Sequence, residues 1–230
     1  MSDGIVERYH RIRERIDRAA GSCGRRPGDV TLVAVSKTFP AEAVAGLAGV
    51  GPVVLGESRV QEAAGKIAAL AGLPVTWHLI GHLQSNKANR AAELFSMVHS
   101  VDDVPLLQRL ERRCADLGKG LDALVEVNLG GEDAKSGCTA ETLPAILDAA
   151  CGLKHVRVRG FMTLPPWCDD PEDARPFFAR LRELRDRFAP RYEETLDLRE
   201  LSMGMSHDFE AAIAEGATMV RVGTAIFGDR

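Results

Sequence analysis

Lys37 closes the apolar run Leu32-Val-Ala-Val-Ser-Lys37, a pattern that reads as a strand ending in an amine. A lysine at the mouth of a core is partly desolvated. This lowers its pKa, and the neutral amine attacks carbonyl carbon. Far along the chain, two more strand-like runs end in small or hydroxyl-bearing residues. Ser202, Gly204 and Ser206 close the first, and Gly223 and Thr224 close the second. Backbone N–H groups in such turns can approach a phosphate closely, and a following helix N-terminus adds a favourable field. An amine facing a phosphate cup points to a covalently held aldehyde cofactor, with pyridoxal phosphate (PLP) the first candidate.

Other residues at strand ends extend the candidate site. Arg221 precedes Gly223-Thr224 and is a candidate neighbour of the pyridine nitrogen or the phosphate. Arginine cannot take the pyridinium proton, so the ring would stay a weak electron sink, suited to holding rather than to deep carbanion chemistry. The alternative for Arg221 is a barrel carboxylate partner. Asn128 either reaches the cofactor or forms an Asx turn ending its strand. Lys135 is either a surface lysine or an attractor of an anionic ligand. His78, Gln84, Asn86 and Lys87 suggest contacts at the rim, with Ser85 as a helix cap the plainer reading.

These ends must be held by a frame. Short β-branched runs at 30–35, 53–55, 75–80, 97–101, 123–127, 156–161, 200–203 and 218–222 alternate with helical patterns at 40–47, 60–70, 85–95, 104–117, 139–150, 171–188 and 206–214. Thr139 is expected to cap its helix, and Phe177, Leu181, Leu184 and Phe188 to share one face of theirs. An amphipathic segment over 1–22 precedes the series. It has Ile5, Tyr9, Ile12 and Ile16 on one side and Arg11, Arg13, Arg15 and Arg18 on the other. The pattern predicts one α/β domain over 1–230, a single (β/α)8 TIM barrel with an extra N-terminal helix packed on it. An open doubly wound sheet is disfavoured, because no G-x-G-x-x-G follows the first strand. In such barrels the C-terminal strand ends carry the site, and strands seven and eight commonly hold phosphate.

Composition limits the partners. The 230 residues carry 29 basic and 33 acidic side chains, a net charge of −4, which gives no basic surplus for nucleic acid. No apolar run is long enough to span a bilayer, and the start lacks a signal-peptide core. Five widely spaced cysteines without C-x-x-C fit reduced thiols in a cytoplasmic protein. The six histidines form no spaced pair with cysteine, so no metal site is expected.

Taken together, Val33-Ala-Val-Ser-Lys-Thr-Phe-Pro40, Gly56-Glu-Ser-Arg-Val-Gln-Glu62, Trp77-His-Leu-Ile-Gly-His-Leu-Gln-Ser-Asn-Lys87, Val125-Glu-Val-Asn128 with Lys135-Ser-Gly137, Arg159-Gly-Phe-Met-Thr163, Leu201-Ser-Met-Gly-Met-Ser206 and Val220-Arg-Val-Gly-Thr-Ala-Ile-Phe-Gly228 resemble the pyridoxal-phosphate homeostasis proteins. These are relatives of the N-terminal barrel of alanine racemase. The matches run through the chain in the family's order. The resemblance implies an internal aldimine on Lys37 and phosphate contacts from Ser202, Ser206, Gly223 and Thr224. It also implies Arg221 beside the pyridine ring, with Met203 and the Asn128 region lining the pocket. Where the family usually has Asn, this chain has Ser58, which puts a ring contact there in question. His82 is given no role.

The implied function is intracellular balance of PLP (vitamin B6) and of amino acids. The chain would be a carrier or buffer without turnover, with apo PLP-dependent enzymes as transient clients. The alternative is an amino-acid racemase. Racemisation needs an acid/base on each face of the substrate carbon. Alanine racemase takes the second from a tyrosine of an additional domain, and no such domain follows strand eight in this sequence. Tyr9 and Tyr192 both lie away from strand C-termini. Without the extra domain, a monomer or weak dimer is expected.

Overall fold

The computed structural model describes residues 2–131 and 136–228. Lys135 and its loop lie outside the described residues. Helix α1 (Ser2–Ser22) leads into β1 (Thr31–Val35), and the order continues α2 (Ala41–Ala45), β2 (Val53–Glu57), α3 (Val60–Ala69), β3 (Val75–Leu79), α4 (Ala88–Leu94), β4 (Met97–Val101), α5 (Val104–Leu117), β5 (Leu121–Glu126), α6 (Leu143–Ala150), β6 (Val156–Met162), α7 (Arg175–Tyr192), β7 (Glu200–Met205), α8 (Phe209–Ala214), β8 (Met219–Val222) and α9 (Thr224–Phe227). All eight strands are parallel, in sequence order, and the sheet closes where β1 pairs with β8 through Thr31↔Met219 to Ala34↔Val222. The expected barrel is therefore the observed one.

Closure separates two kinds of packing. Alternate strand residues such as Leu32, Ala34, Leu55, Leu79 and Val98 face the helices and join the main apolar core. The opposite face gives a much smaller apolar cluster inside the barrel, Val33, Val35, Ile80, Met97, Leu124, Met162 and Met219. The rest of the interior is polar. His78, His99, Glu126, Ser202 and Arg221 are all buried. A barrel interior is normally filled by branched apolar side chains, so this polar set needs a reason beyond packing.

Local chemistry sets the element ends. Asp103 accepts the Leu106 N–H at 2.6 Å to cap α5, and Gly118, with φ 59°, closes it in the left-handed region. Three expectations change. Thr139 does not cap α6: it exchanges hydrogen bonds with Thr142 in a preceding turn, and the helix starts at Leu143. The 171–188 pattern divides into a 3-10 turn at Pro171–Ala174 and then α7, and Phe178 rather than Phe177 is fully buried. Ser85 opens a 3-10 turn with no side-chain cap, and its carbonyl accepts from Arg109.

Candidate functional site

β1 delivers Lys37 one residue after the buried Ser36. The backbone turns sharply at Thr38, whose φ of 72° is the one left-handed value among the described non-glycine residues. Across the barrel, Arg221 sits in register with Val33, a member of the interior cluster, so its side chain points inward. It is 3% exposed. Its Nη1 donates to the Ser202 carbonyl at 2.8 Å and to Ser202 Oγ at 2.6 Å, and its Nη2 donates to the Thr163 carbonyl at 2.9 Å. Burial lowers its pKa to about 10, while Glu126 and Asp208 work to raise it, so the guanidinium is charged at neutral pH.

A hydrogen-bonded chain continues from Ser202 into the barrel. Ser202 Oγ lies 2.9 Å from His99 Nδ1, and His99 Nε2 lies 3.0 Å from His78 Nδ1. Since Arg221 donates to Ser202 Oγ, the serine proton can go to His99 Nδ1, and His99 then donates to His78. Burial holds His78 down to about 4 and His99 well below its ordinary value, with neighbouring charge adding to the effect at His99. Both imidazoles are thus neutral at physiological pH and pass one hydrogen-bond direction along the chain.

The strand mouths enclose a cavity of about 430 Å3 bounded by Lys37, Ser58, Ile80, Ser206, Arg221, Gly223 and Thr224, with Leu164, Trp167 and His207 at its edge. Gly223 donates its N–H to Ser206 Oγ at 3.2 Å, tying together the two turns of the expected phosphate cup. Gly204, at φ 89°, lets α8 approach: a Cβ there would lie 2.6 Å from the Ala212 methyl and 2.9 Å from the Phe209 backbone. Trp167, 72% exposed, stacks on His207 with ring centroids 4.9 Å apart. A shallow groove of about 610 Å3 beside α7, lined by Arg185 to Arg199, lies away from the strand C-termini and brings no nucleophile together with anion donors.

Five of the eight expected site residues, Lys37, Ser206, Arg221, Gly223 and Thr224, meet on this cavity. Three do not line it. The Ser202 hydroxyl is occupied by Arg221 and His99, so it holds the arginine rather than facing the cavity. Met203 is fully buried in the sheet–helix core, because strand alternation turns it outward. Asn128 follows β5 and donates its backbone N–H to the Cys138 carbonyl at 2.9 Å. His78 is likewise not a rim residue but part of the interior chain, and Gln84, Asn86 and Lys87 lie off the cavity.

The sequence reading missed Glu126. It pairs in register with the inward Met162, its Oε2 is buried without a hydrogen-bond partner, and burial together with Asp102 pushes its carboxyl up to about 7 against the pull of Arg221. Its alternation with Leu124 was the available signal. Trp167 also escaped notice, since a loop residue distant in sequence carries no pattern that links it to the strand ends, and nothing along the chain placed its stacking partner His207 at the cavity.

Residues 8–230 match the family described as alanine racemase, N-terminal domain. The pyridoxal phosphate homeostasis protein of Pseudomonas aeruginosa is 48% identical over 98% of this chain and 96% of its own, and that of Aquifex aeolicus is 43% identical over 97% of both. The chain belongs to the pyridoxal phosphate homeostasis protein family. Among solved structures, PipY of Synechococcus elongatus PCC7942, described with PLP bound, is 40% identical and superposes with a TM-score of 0.82 over 93% of this chain and all (100%) of its own. Alanine racemase of Clostridium difficile 630, at 16% identity, shares the fold (TM-score 0.73), with 99% of this chain covered and 57% of the racemase. Ser58 stands on the cavity wall.

Proposed function

We propose that this chain binds PLP as a Schiff base on Lys37 and acts in PLP and amino-acid homeostasis as a carrier or buffer without turnover of its own. The observation that carries this reading is the convergence of Lys37, Arg221 and the Ser206–Gly223–Thr224 turns on one cavity. The donor set fits the group. An amine, a hydroxyl-rich turn pair and a fixed guanidinium match an aldehyde, a phosphate and a ring nitrogen respectively. The relatives named for this role, and PipY described with PLP bound, support it further.

When bound, PLP supplies an aldehyde that condenses with amines and a ring that can withdraw electrons. The chain's own residues limit that chemistry. Lys37 provides the amine. Ser206, Gly223 and Thr224 would hold the phosphate at the turns joined by the Gly223 N–H to Ser206 Oγ bond. Arg221, fixed by three hydrogen bonds, would offer the ring nitrogen a donor only, which would leave the ring a weak electron sink. Neither tyrosine lines the cavity. Tyr9 is buried in α1, and the Tyr192 hydroxyl donates to Asp148 at 2.7 Å. This favours a carrier over a racemase.

Apo PLP-dependent enzymes are the proposed transient clients, the cytoplasm the proposed compartment, and a monomer or weak dimer the proposed state. No helix of the described residues is long and apolar enough to cross a membrane. The test is borohydride reduction of the PLP-loaded protein followed by peptide mapping. The expected result is a reduced adduct on Lys37 that Lys37→Ala lacks. Absence of any adduct in wild type would overturn the anchor. Enzyme-like exchange of the alanine α-proton in deuterium oxide would overturn the carrier reading in favour of a racemase.

A further inference from the structure

Lys66, on α3 and 6% exposed, buries its ammonium directly behind the β1 exit. Its Nζ donates to the Ser36 carbonyl, to Glu57 Oε1 and to Glu62 Oε1, each at 2.7 Å. Ser36 Oγ donates to the same Glu57 oxygen at 2.6 Å. Glu62 Oε1 also accepts the Thr38 N–H at 2.6 Å. One ammonium therefore secures the residue before Lys37 directly and the residue after it through Glu62. Thr38 is β-branched and left-handed, a conformation that persists only where the surroundings impose it. Burial pushes the Glu62 carboxyl up, but the Lys66 and Thr38 donors together hold it below its ordinary value, so it stays an anionic acceptor.

This cluster is poorly suited to be a fold device alone. The β1–β2 ladder already joins these strands, and Ser36 N–H extends it by donating to the Gly56 carbonyl at 3.1 Å. Glu57 Oε2 is buried without a hydrogen-bond partner. A buried ion pair with an oxygen left over seldom stabilises more than a packed apolar substitute. What the cluster adds is a tie from one ammonium to the backbone on both sides of Lys37.

We propose that Lys66, with Glu57 and Glu62, is a positioning residue for Lys37: it locks the strained turn so that the amine leaves β1 toward the cavity in one direction. The proposal rests on Lys37 as the covalent anchor. In that step the neutral Nζ adds to the aldehyde carbon, the carbonyl oxygen leaves as water and a C=N bond remains, with no redox partner. Lys66 neither gains nor loses a proton. It narrows the range of directions from which Nζ arrives.

The experiment compares wild type, Lys66→Met, Glu62→Ala and Lys37→Ala as full-length proteins. Two quantities are measured: the rate of Schiff-base formation with PLP, and the affinity for pyridoxamine 5'-phosphate, which has no aldehyde and reads the non-covalent site alone. Lys66→Met and Glu62→Ala are expected to slow linkage formation by about tenfold or more, as misaimed reactive groups do, with pyridoxamine phosphate affinity held within about twofold. Glu62 is partly exposed, so Glu62→Ala carries the test if Lys66→Met fails to fold. Wild-type linkage rates in Glu62→Ala would overturn the proposal, as would a parallel loss of pyridoxamine phosphate affinity, which marks general damage to the cavity. A wild type that forms no adduct on Lys37 is a different result: it overturns the anchor itself.

Discussion

Arg221 is held by partners that could not be inferred from its own position. Its geometry depends on Ser202, whose hydroxyl joins it to His99. Ser202→Ala removes that junction and leaves one His99 nitrogen unpaired in a dry interior. A loss of about 2 kcal/mol is expected in urea denaturation, the usual cost of an orphaned buried polar group. Glu126 makes a prediction of opposite character. Its folded pKa is raised, to about 7, so its contribution is most favourable below its unfolded pKa and is lost as pH climbs through 7. Glu126→Gln removes this titration. The stability of the variant relative to wild type is therefore expected to rise by about 2 kcal/mol between pH 5 and pH 8. A difference that is flat with pH would mean that Glu126 is ionised throughout.

At the scale of elements, the site depends on close approaches between strands and on turns that only certain residues allow. β6 and β7 meet at Gly160, where a Cβ would lie 1.9 Å from the Glu200 carbonyl oxygen, with φ at 150°. Gly160→Ala is expected to destabilise the protein by about 3 kcal/mol or more, read as a fall in the urea midpoint, because neither strand can yield without breaking the ladder. Strand periodicity was legible in the sequence, and with it the alternation that places Arg221 inward. The Thr139 cap was misread because a threonine pair satisfying itself looks, in one dimension, like a helix start. Phe177 does pack against the core beside Leu181, Leu184 and Phe188, but Phe178, three residues before Leu181, is the one fully buried.

Over the whole molecule, α1 clasps the end of the chain to its beginning. Arg8 Nε donates to the Ile226 carbonyl at 2.6 Å, and Arg15 makes a two-pronged bond to Glu210, with both contacts at 2.9 Å. Through α9 the first of these reaches the helix that follows the cavity wall at Gly223. Arg8→Ala should lower stability by about 1 kcal/mol, measured by thermal melting. The thiols offer a check on the fold at this scale. Cys23 and Cys151 are exposed, Cys168 is half-buried, and Cys114 and Cys138 are buried. Titration with Ellman's reagent should show two fast thiols and one slower, with the last two reacting only on unfolding. Burial, with Asp102, pushes the Cys138 thiol up to about 12, which strengthens its protection.

The barrel, its strand order and the convergence of Lys37, Arg221, Ser206, Gly223 and Thr224 on one strand-end cavity were legible in the sequence itself. Hydrophobic period, strand-end chemistry and turn residues are local properties, and the barrel topology brings strand ends together by rule. Only the tertiary structure decided what stands behind those residues. The Lys66 cluster and the His78–His99–Ser202 chain join residues from different strands and helices, and the Glu126 oxygen is left unpaired by what packs around it. A buried polar side chain takes its meaning from desolvation and from the partner it meets, and both are set by packing in three dimensions rather than by spacing along the chain.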